Sequence, residues 1–241
     1  MKIIEFKDKY ELGKEAAAFI ARTIEEKPDA VLGLATGGTP MDTYKELIQL
    51  HQSNQLSFKQ VRTVNLDEYA GLEPEDENSY MTYMKRQLFD HIDIPEGQYH
   101  LPNGNASNLT EECLSYEKLI QELGGIDLQL LGIGQNGHIG FNEPGTPFDS
   151  KTHVVQLDEN TRQANARYFS SIDEVPKEAI TMGIQSILSS KKILLLASGT
   201  SKAEVIKYLE QAEIHPDFPA SALKLHSDVT IFIDKEAGSL R

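Results

Sequence analysis

Short apolar runs alternate along the chain with longer stretches in which apolar residues recur every three or four positions. The short runs are rich in Val, Ile and Leu, and several are nearly continuous, as in strands that are covered on both faces. They predict strands at Ala30–Ala35, Val61–Leu66, Asp127–Gly132, His153–Leu157, Lys192–Ala197 and Val229–Ile233. The longer stretches have helical spacing and predict helices at Tyr10–Lys27, Met41–His51, Asn78–Ile92, Leu109–Leu123 and Ser201–Gln211. This alternation predicts an α/β fold with a mostly parallel sheet and helices on both faces.

Length and composition narrow the class of protein. The 241 residues contain no repeat, low-complexity segment or linker, so a single domain over residues 1–241 is expected. The formal net charge of −14 disfavours a nucleic-acid binder, which needs a basic face. Apolar runs long enough to span a bilayer, or to form a signal peptide, are not found in the sequence. Cys113 is the single cysteine and fits a buried, inert thiol, so a reduced, cytoplasmic location is expected.

In a parallel sheet, ligands bind beyond the carboxyl ends of the strands, so the loops there matter most. The first of these loops reads Thr36-Gly37-Gly38-Thr39-Pro40 and precedes a predicted helix. The glycines allow close backbone approach, and the helix N-terminus offers free N–H donors to an anion. The loop predicts a phosphate cradle. The alternative is a tight strand-to-helix turn with a threonine cap.

A second loop brings two carboxylates to the same edge. Asp67 and Glu68 directly follow the predicted strand Val61–Leu66. Asp67 can act as a general base if it is partly desolvated, whereas Glu68 is expected to point elsewhere because adjacent residues at a strand end diverge. The alternative is a solvated acidic loop.

The third loop contains a formal G-x-G-x-x-G at Gly132, Gly134 and Gly137. A dinucleotide fingerprint must open a helix, and the glycine- and proline-rich sequence that follows has no helical period, so we reject that interpretation. The loop instead allows His138 and Glu143 to converge, a pair that can move protons near neutral pH. The alternatives are a surface loop or, less favoured without a second histidine at ligand spacing, a metal site.

Basic residues that follow later strands are candidate anion ligands in this acidic chain. Arg162 and Arg167 lie on a stretch with helical period, and Lys202 follows the strand Lys192–Ala197 at a predicted helix start. Taken singly, each is equally consistent with an exposed charge on a helix.

Together these loops resemble those of the glucosamine-6-phosphate deaminase family, in order and in spacing. The matching stretches are Ala35–Pro40, Asn65–Tyr69, Gly137–Gly145, Thr161–Arg167 and Ser198–Lys202. The resemblance implies a Rossmann-like α/β fold and conversion of glucosamine 6-phosphate and water to fructose 6-phosphate and ammonia. It implies no redox cofactor and no essential metal. It also implies that the partner is a small-molecule sugar phosphate substrate and that the enzyme acts in catabolism.

The resemblance also implies a role for each matching residue. Asp67 is the base that carries a proton from sugar C2 to C1, and His138 assists ring opening, with Glu143 either orienting it or sharing the proton. The implied phosphate ligands are Thr36, Gly37, Gly38, Thr39, Arg167 and Lys202.

This chain departs from the family pattern in two places. Asn136 stands where many members have Asp, and it can hydrogen-bond but carries no charge, so Glu143 is expected to do more of the orienting of His138. Some members are hexamers activated by N-acetylglucosamine 6-phosphate through basic residues after the Glu-Pro motif. Residues 151–155 here carry fewer basic groups, so weak or absent activation is expected. The choice between monomer and homo-oligomer stays open.

Two rival functions remain. A 6-phosphogluconolactonase would have a similar Gly-His loop, but it has no need of an enolising Asp67, and its loop differs from Phe141-Asn142-Glu143-Pro144. A non-catalytic sugar-phosphate sensor is disfavoured, because the residues before position 30 contain no helix-turn-helix and the charge is wrong for DNA.

Overall fold

The computed structural model describes residues 1–157, 162–163, 169 and 171–241. Its strands are β1 Lys2–Phe6, β2 Val31–Leu34, β3 Arg62–Asn65, β4 Asp67–Tyr69, β5 Tyr99–His100, β6 Leu128–Leu131, β7 His153–Gln156, β8 Glu178–Thr181, β9 Lys192–Ala197 and β10 Val229–Asp234. The described α-helices are α1 Lys9–Glu26, α2 Met41–Gln52, α3 Tyr80–Gln87, α4 Leu109–Glu122, α5 Ile184–Leu188 and α6 Ala203–Gln211.

Seven strands form one parallel sheet in the order β1-β10-β9-β6-β2-β3-β5. The chain runs from β2 outward to β3 and β5, and it returns on the other side of β2 to build β6, β9 and β10. The strand order therefore reverses between β2 and β6. Such a switch point leaves a crevice at the carboxyl ends of the two strands, where ligands bind in open α/β sheets.

Alternate residues of the central strands pack on opposite faces of the sheet. In β9, Ile193 and Leu195 belong to one apolar cluster, and Leu194 and Leu196 belong to the other. The first cluster is covered by α4, α5 and α6, and the second by α1, α2 and α3. Both faces of the sheet are therefore buried, which explains the nearly continuous apolar strands and confirms the predicted fold class.

A second sheet of three antiparallel strands, in the order β4-β8-β7, lies beside the carboxyl edge of the first. The predicted strand at His153–Leu157 exists as His153–Gln156, but it pairs in this small sheet and not in the parallel one. The strands β1, β4, β5 and β8 are not among those predicted from the sequence. β4 and β5 have three residues and two residues, too few for a periodic signal.

Two predicted helices are shorter in the structure than in the pattern. The stretch 78–92 contains α3 over Tyr80–Gln87 and then a 3-10 turn at Phe89–His91. The stretch 201–211 begins with a 3-10 turn at Thr200–Lys202, and the α-helix begins at Ala203. Because residues three apart lie on one side in both an α-helix and a 3-10 turn, the apolar pattern does not show where one changes into the other.

Candidate active site

The loop after β2 has the geometry of an anion cradle. Gly37 has a φ of 94°, and a Cβ added at Gly37 or Gly38 would meet nothing within 4 Å. The N-cap of α2 is Pro40, and no side chain caps this helix, so the alternative of a threonine cap is wrong. The loop backbone and the start of α2 thus face open space with their N–H groups uncapped by side chains, which is the arrangement that anions favour.

Asp67 begins β4 and is nearly fully buried, with 6 % of its surface exposed. Burial, with a further contribution from the charge of Glu68, raises the pKa of Asp67 to about 8. A carboxyl group with this pKa is a strong base once it is deprotonated. The prediction that Asp67 is desolvated is therefore met by the geometry, and the solvated acidic loop is excluded.

Glu68 points away from Asp67, as alternation along a strand requires. Its carboxylate accepts backbone N–H groups from Tyr69 at 2.9 Å, Tyr80 at 2.9 Å and Met81 at 3.0 Å. Tyr80 and Met81 open α3, so Glu68 holds the N-terminus of that helix against β4. Burial raises the pKa of Glu68 to about 7, although these three hydrogen bonds oppose the shift.

His138, Glu143 and Asn136 come together in the loop after β6. The Nδ1 atom of His138 lies 3.5 Å from Oε1 of Glu143. Asn136 donates from Nδ2 to Oε2 of Glu143 at 2.6 Å, and its Oδ1 accepts the backbone N–H of His138 at 3.2 Å. The imidazole lies against Gly134, where a Cβ would come within 2.3 Å of the ring. The predicted convergence of His138 and Glu143 is therefore present in the structure.

The same loop packs directly against Asp67. A Cβ added at Gly140 would lie 2.9 Å from Oγ1 of Thr181 and 3.8 Å from Oδ2 of Asp67. Thr181 pairs with Asp67 across the small sheet and accepts the N–H of Phe141 at 3.1 Å. Thr181 thus joins the base to the His-Glu loop. No local pattern in the sequence indicates this role of Thr181, because the role depends on the unpredicted pairing of β4 with β8.

Asn142 fixes the middle of that loop. It is fully buried, and its Nδ2 donates to the carbonyls of Ile139 at 2.9 Å and Met182 at 2.8 Å. The carbonyl of Leu66, directly before Asp67, accepts the N–H of Met182 at 2.7 Å. The loop after β6 and the strand that carries the base are therefore parts of one hydrogen-bonded unit.

Lys202 reaches the same crevice from the loop after β9. Its Nζ donates to the carbonyl of Ile133 at 2.7 Å, and burial lowers the pKa of this ammonium group. The loop is held by Asp234, whose two carboxylate oxygens accept the N–H of Gly199 at 3.0 and 3.1 Å. Lys202 is thus a partly buried cation beside the His-Glu loop.

Of the two candidate arginines, Arg162 and Arg167, the structure describes Arg162. Arg162 donates its Nη2 to the carbonyls of Ile172 at 2.8 Å and Val175 at 3.1 Å, so its guanidinium is used to hold this segment. The proposal that Arg162 binds an anion is not supported by these contacts. Arg167 lies outside the described residues. Among the residues that are described, no group of three or more His, Cys, Asp or Glu side chains could hold a metal ion, and no helix is long and apolar enough to cross a membrane.

Helix α3 connects the base to the cradle. Burial raises the pKa of the hydroxyl of its first residue, Tyr80, and this hydroxyl lies close enough to Asp67 and to the side chain of Thr36 for both to affect that pKa. Tyr83, one turn later, donates its hydroxyl to the carbonyl of Gly37 at 2.6 Å. The loop after β2, Asp67 and the His-Glu loop are therefore linked to one another at the carboxyl edge of the parallel sheet.

A parallel α/β sheet with a buried carboxyl group and a His-Glu pair at its carboxyl edge is the arrangement of an α/β enzyme. Residues 8–232 match the family described as glucosamine-6-phosphate isomerases/6-phosphogluconolactonase, and the chain belongs to that family. It is 81 % identical over 241 residues to a glucosamine-6-phosphate deaminase of Bacillus pumilus, with all of both chains covered. It is 63 % identical over 241 residues, again with full coverage of both, to glucosamine-6-phosphate deaminase 1 of Bacillus subtilis.

Solved structures agree with this assignment. The structure of a monomeric glucosamine-6-phosphate deaminase superimposes with a TM-score of 0.98 at 63 % identity and covers 100 % of each chain. A 6-phosphogluconolactonase from Trypanosoma brucei superimposes with a TM-score of 0.80 at 20 % identity, covering 99 % of this chain and 97 % of its own, and shares the fold. The chain is therefore an enzyme, and the non-catalytic sensor is excluded.

Proposed function

We propose that this enzyme converts glucosamine 6-phosphate and water to fructose 6-phosphate and ammonia. The observation that carries the proposal is the buried Asp67 carboxyl group, packed against the loop that holds His138 and Glu143. Proton transfer at carbon needs a buried carboxylate of raised basicity, and a His-Glu pair suits proton transfer at sugar oxygens. The deaminase names of relatives with 81 % and 63 % identity support the same substrate.

The phosphate group of the substrate binds in the cradle after β2. Thr36, Gly37, Gly38 and Thr39 supply backbone N–H groups and hydroxyls, and the N-terminus of α2 adds its dipole. Lys202 supplies a positive charge from the neighbouring loop, and Arg167 is proposed to add a second one. Cations and N–H dipoles placed at this edge overcome the repulsion between a dianionic substrate and a chain of net charge −14.

Ring opening is the first chemical step. The imidazole of His138 takes the proton of the O1 hydroxyl and returns a proton to the ring oxygen O5, so that the C1–O5 bond breaks and an aldehyde forms. Glu143 lies 3.5 Å from Nδ1 of His138 and stabilises the imidazolium while it holds the proton. Asn136 holds Glu143 in place through its 2.6 Å hydrogen bond.

Isomerisation and loss of the amine follow. The Asp67 carboxylate removes the proton from C2 while a proton of the substrate's ammonium group passes to O1, so that the electron pair forms a neutral enolamine. Asp67 then returns its proton to C1, which leaves a protonated imine at C2. Water then adds to the C2 imine, ammonia leaves, and the ketone of fructose 6-phosphate remains. The burial that raises the pKa of Asp67 to about 8 makes the carboxylate basic enough for this transfer.

The alternative is hydrolysis of 6-phosphogluconolactone, the other activity in the name of the family. Hydrolysis of a lactone requires activation of water but no proton transfer between carbons. It therefore does not explain why a basic carboxylate is buried at Asp67. The test is to supply both substrates to the purified enzyme and follow ammonia release and lactone consumption. The proposal predicts turnover of glucosamine 6-phosphate, and consumption of the lactone alone would contradict it.

Several expectations accompany this proposal. A role in N-acetylglucosamine catabolism, a cytoplasmic location and a single domain over residues 1–241 stay predictions. Weak or absent activation by N-acetylglucosamine 6-phosphate also stays a prediction. The relative with the TM-score of 0.98 is monomeric, which supports a monomer here as well.

A further inference from the structure

Two tyrosine hydroxyls bind the backbone of the phosphate cradle on either side of Thr36. Tyr44 donates to the carbonyl of Ala35 at 2.5 Å, and Tyr83 donates to the carbonyl of Gly37 at 2.6 Å. Tyr44 lies on α2 and Tyr83 on α3, and both pack in the apolar cluster on the same face of the sheet. Two neighbouring helices therefore draw two cradle carbonyls toward the same side of the loop.

The direction of a carbonyl fixes the direction of the N–H that follows it, because the C=O and N–H of a planar trans peptide point in opposite directions. The carbonyl of Ala35 shares its peptide with the N–H of Thr36, and that of Gly37 shares its peptide with the N–H of Gly38. When the tyrosines hold these carbonyls, both N–H groups point away from the hydroxyls of Tyr44 and Tyr83.

The N–H groups so directed are available to a ligand. Within the described ranges, none of the backbone N–H groups from Thr36 to Thr39 donates to a protein acceptor. The Cβ positions of Gly37 and Gly38 face open space, and Gly37 holds a positive φ of 94°. Burial raises the pKa of the Tyr44 hydroxyl well above its ordinary value, so this group stays protonated and acts as a donor.

We propose that Tyr44 and Tyr83 are positioning residues that aim the N–H groups of Thr36 and Gly38 at the phosphate of the substrate. They touch the backbone of the cradle and act on the substrate through it. The inference rests on the proposed phosphate site. It adds that the affinity of the cradle depends on two hydroxyl groups that carry no charge and belong to two different helices.

The test compares Tyr83→Phe and Tyr44→Phe with the wild type, with Tyr10→Phe as the matched control. Tyr10 is 64 % exposed on α1, and none of its described contacts is with residues 36–39. Inorganic phosphate is titrated into each folded protein by calorimetry, and kcat and KM are measured with glucosamine 6-phosphate. Tyr83 is only partly buried and phenylalanine keeps the ring, so this variant is the primary one.

The inference predicts that each of the two variants weakens phosphate binding about 2- to 10-fold, the range expected for one lost neutral hydrogen bond. KM rises by the same factor, kcat stays within about twofold, and the Tyr10→Phe protein matches the wild type. A merely structural role would lower the melting temperature without this selective change in KM. Unchanged phosphate affinity in folded Tyr83→Phe would overturn the inference.

The phosphate titration separates this inference from the proposed function. Wild-type protein that binds phosphate but does not turn over glucosamine 6-phosphate would contradict the function, and the variants would still test the tyrosines. Wild-type protein that binds no phosphate at all would overturn the inference itself.

Discussion

The side-chain amide of Asn136 donates to Oε2 of Glu143 at 2.6 Å, and Glu143 in turn lies 3.5 Å from the imidazole of His138. Asn136 therefore acts on the imidazole through Glu143, with its Oδ1 bound to the backbone N–H of His138. An uncharged donor suits this position because it leaves Glu143 as the one carboxylate of the triad. The sequence-based expectation that Glu143 does the orienting agrees with this geometry.

Asn136→Asp would place a second carboxylate at hydrogen-bond distance from Glu143 in place of a donor. Two negative charges beside one imidazole favour the protonated states of all three groups. We expect the limb of the pH–rate profile that reports the His138–Glu143 pair to move to higher pH, with kcat reduced about tenfold at neutral pH. The measurement is kcat against pH for both proteins, and a limb that does not move upward would contradict this account.

The pKa of Asp67 sets the pH dependence of the reaction. Because the base must be deprotonated, kcat/KM is expected to rise with pH through about 8. The charge of Glu68 raises this pKa, so Glu68→Gln is expected to move the midpoint to lower pH while the amide oxygen still accepts N–H groups from α3. Glu75→Gln, an exposed change nearby, is the control. A midpoint that moves upward in Glu68→Gln would contradict the assignment.

The same carboxyl group should make the fold less stable as pH rises. The folded protein holds the Asp67 proton up to about pH 8, whereas the unfolded chain releases it near 3.8, so the folded state binds more protons between these values. Stability is therefore lost as pH rises through this window. Asn does not titrate. The melting temperature of Asp67→Asn should therefore rise relative to that of the wild type from pH 5 to pH 8, and the difference between the two should stay constant above pH 8.

Melting temperatures at pH 5, 7 and 9 test this prediction. Asp228→Asn is the matched control, because Asp228 is exposed and its replacement should give a gap that stays flat with pH. If the difference between Asp67→Asn and the wild type stayed constant from pH 5 to pH 9, or if the wild type gained on the variant, Asp67 would be ionised in the folded protein.

Gly37 and Gly38 allow the effect of backbone conformation on stability to be compared at two neighbouring positions. Both Gly37 and Gly38 have open space for a Cβ, but the positive φ of 94° occurs at Gly37. Gly37→Ala should lower the free energy of unfolding by about 1–2 kcal/mol, the cost of a left-handed conformation for an L-residue. Gly38→Ala should change it by less than about 0.5 kcal/mol. Equal losses in chemical denaturation would refute the proposed role of the Gly37 conformation.

The sequence predicted the parallel sheet because strands buried on both faces are apolar throughout, and Lys192–Ala197 was predicted with its observed bounds. It could not predict the small sheet, because β4 has three residues and its partner β8 is distant in sequence. The pairing of Asp67 with Thr181 therefore could not be predicted from the sequence. Local motifs identified Asp67, His138 and Glu143, whereas the positioning residues Tyr44, Tyr83 and Asn142 depend on tertiary contacts that no local pattern encodes.

In the proposed reaction, Asp67 moves the proton between the carbons of glucosamine 6-phosphate. The most direct measurement is release of ammonia and fructose 6-phosphate by the wild type and Asp67→Asn side by side, with inorganic phosphate binding measured on both. We expect turnover by the wild type, a loss of about a thousandfold or more in kcat for the variant, and phosphate affinity that stays the same. A variant that retains kcat within tenfold of the wild type would contradict it.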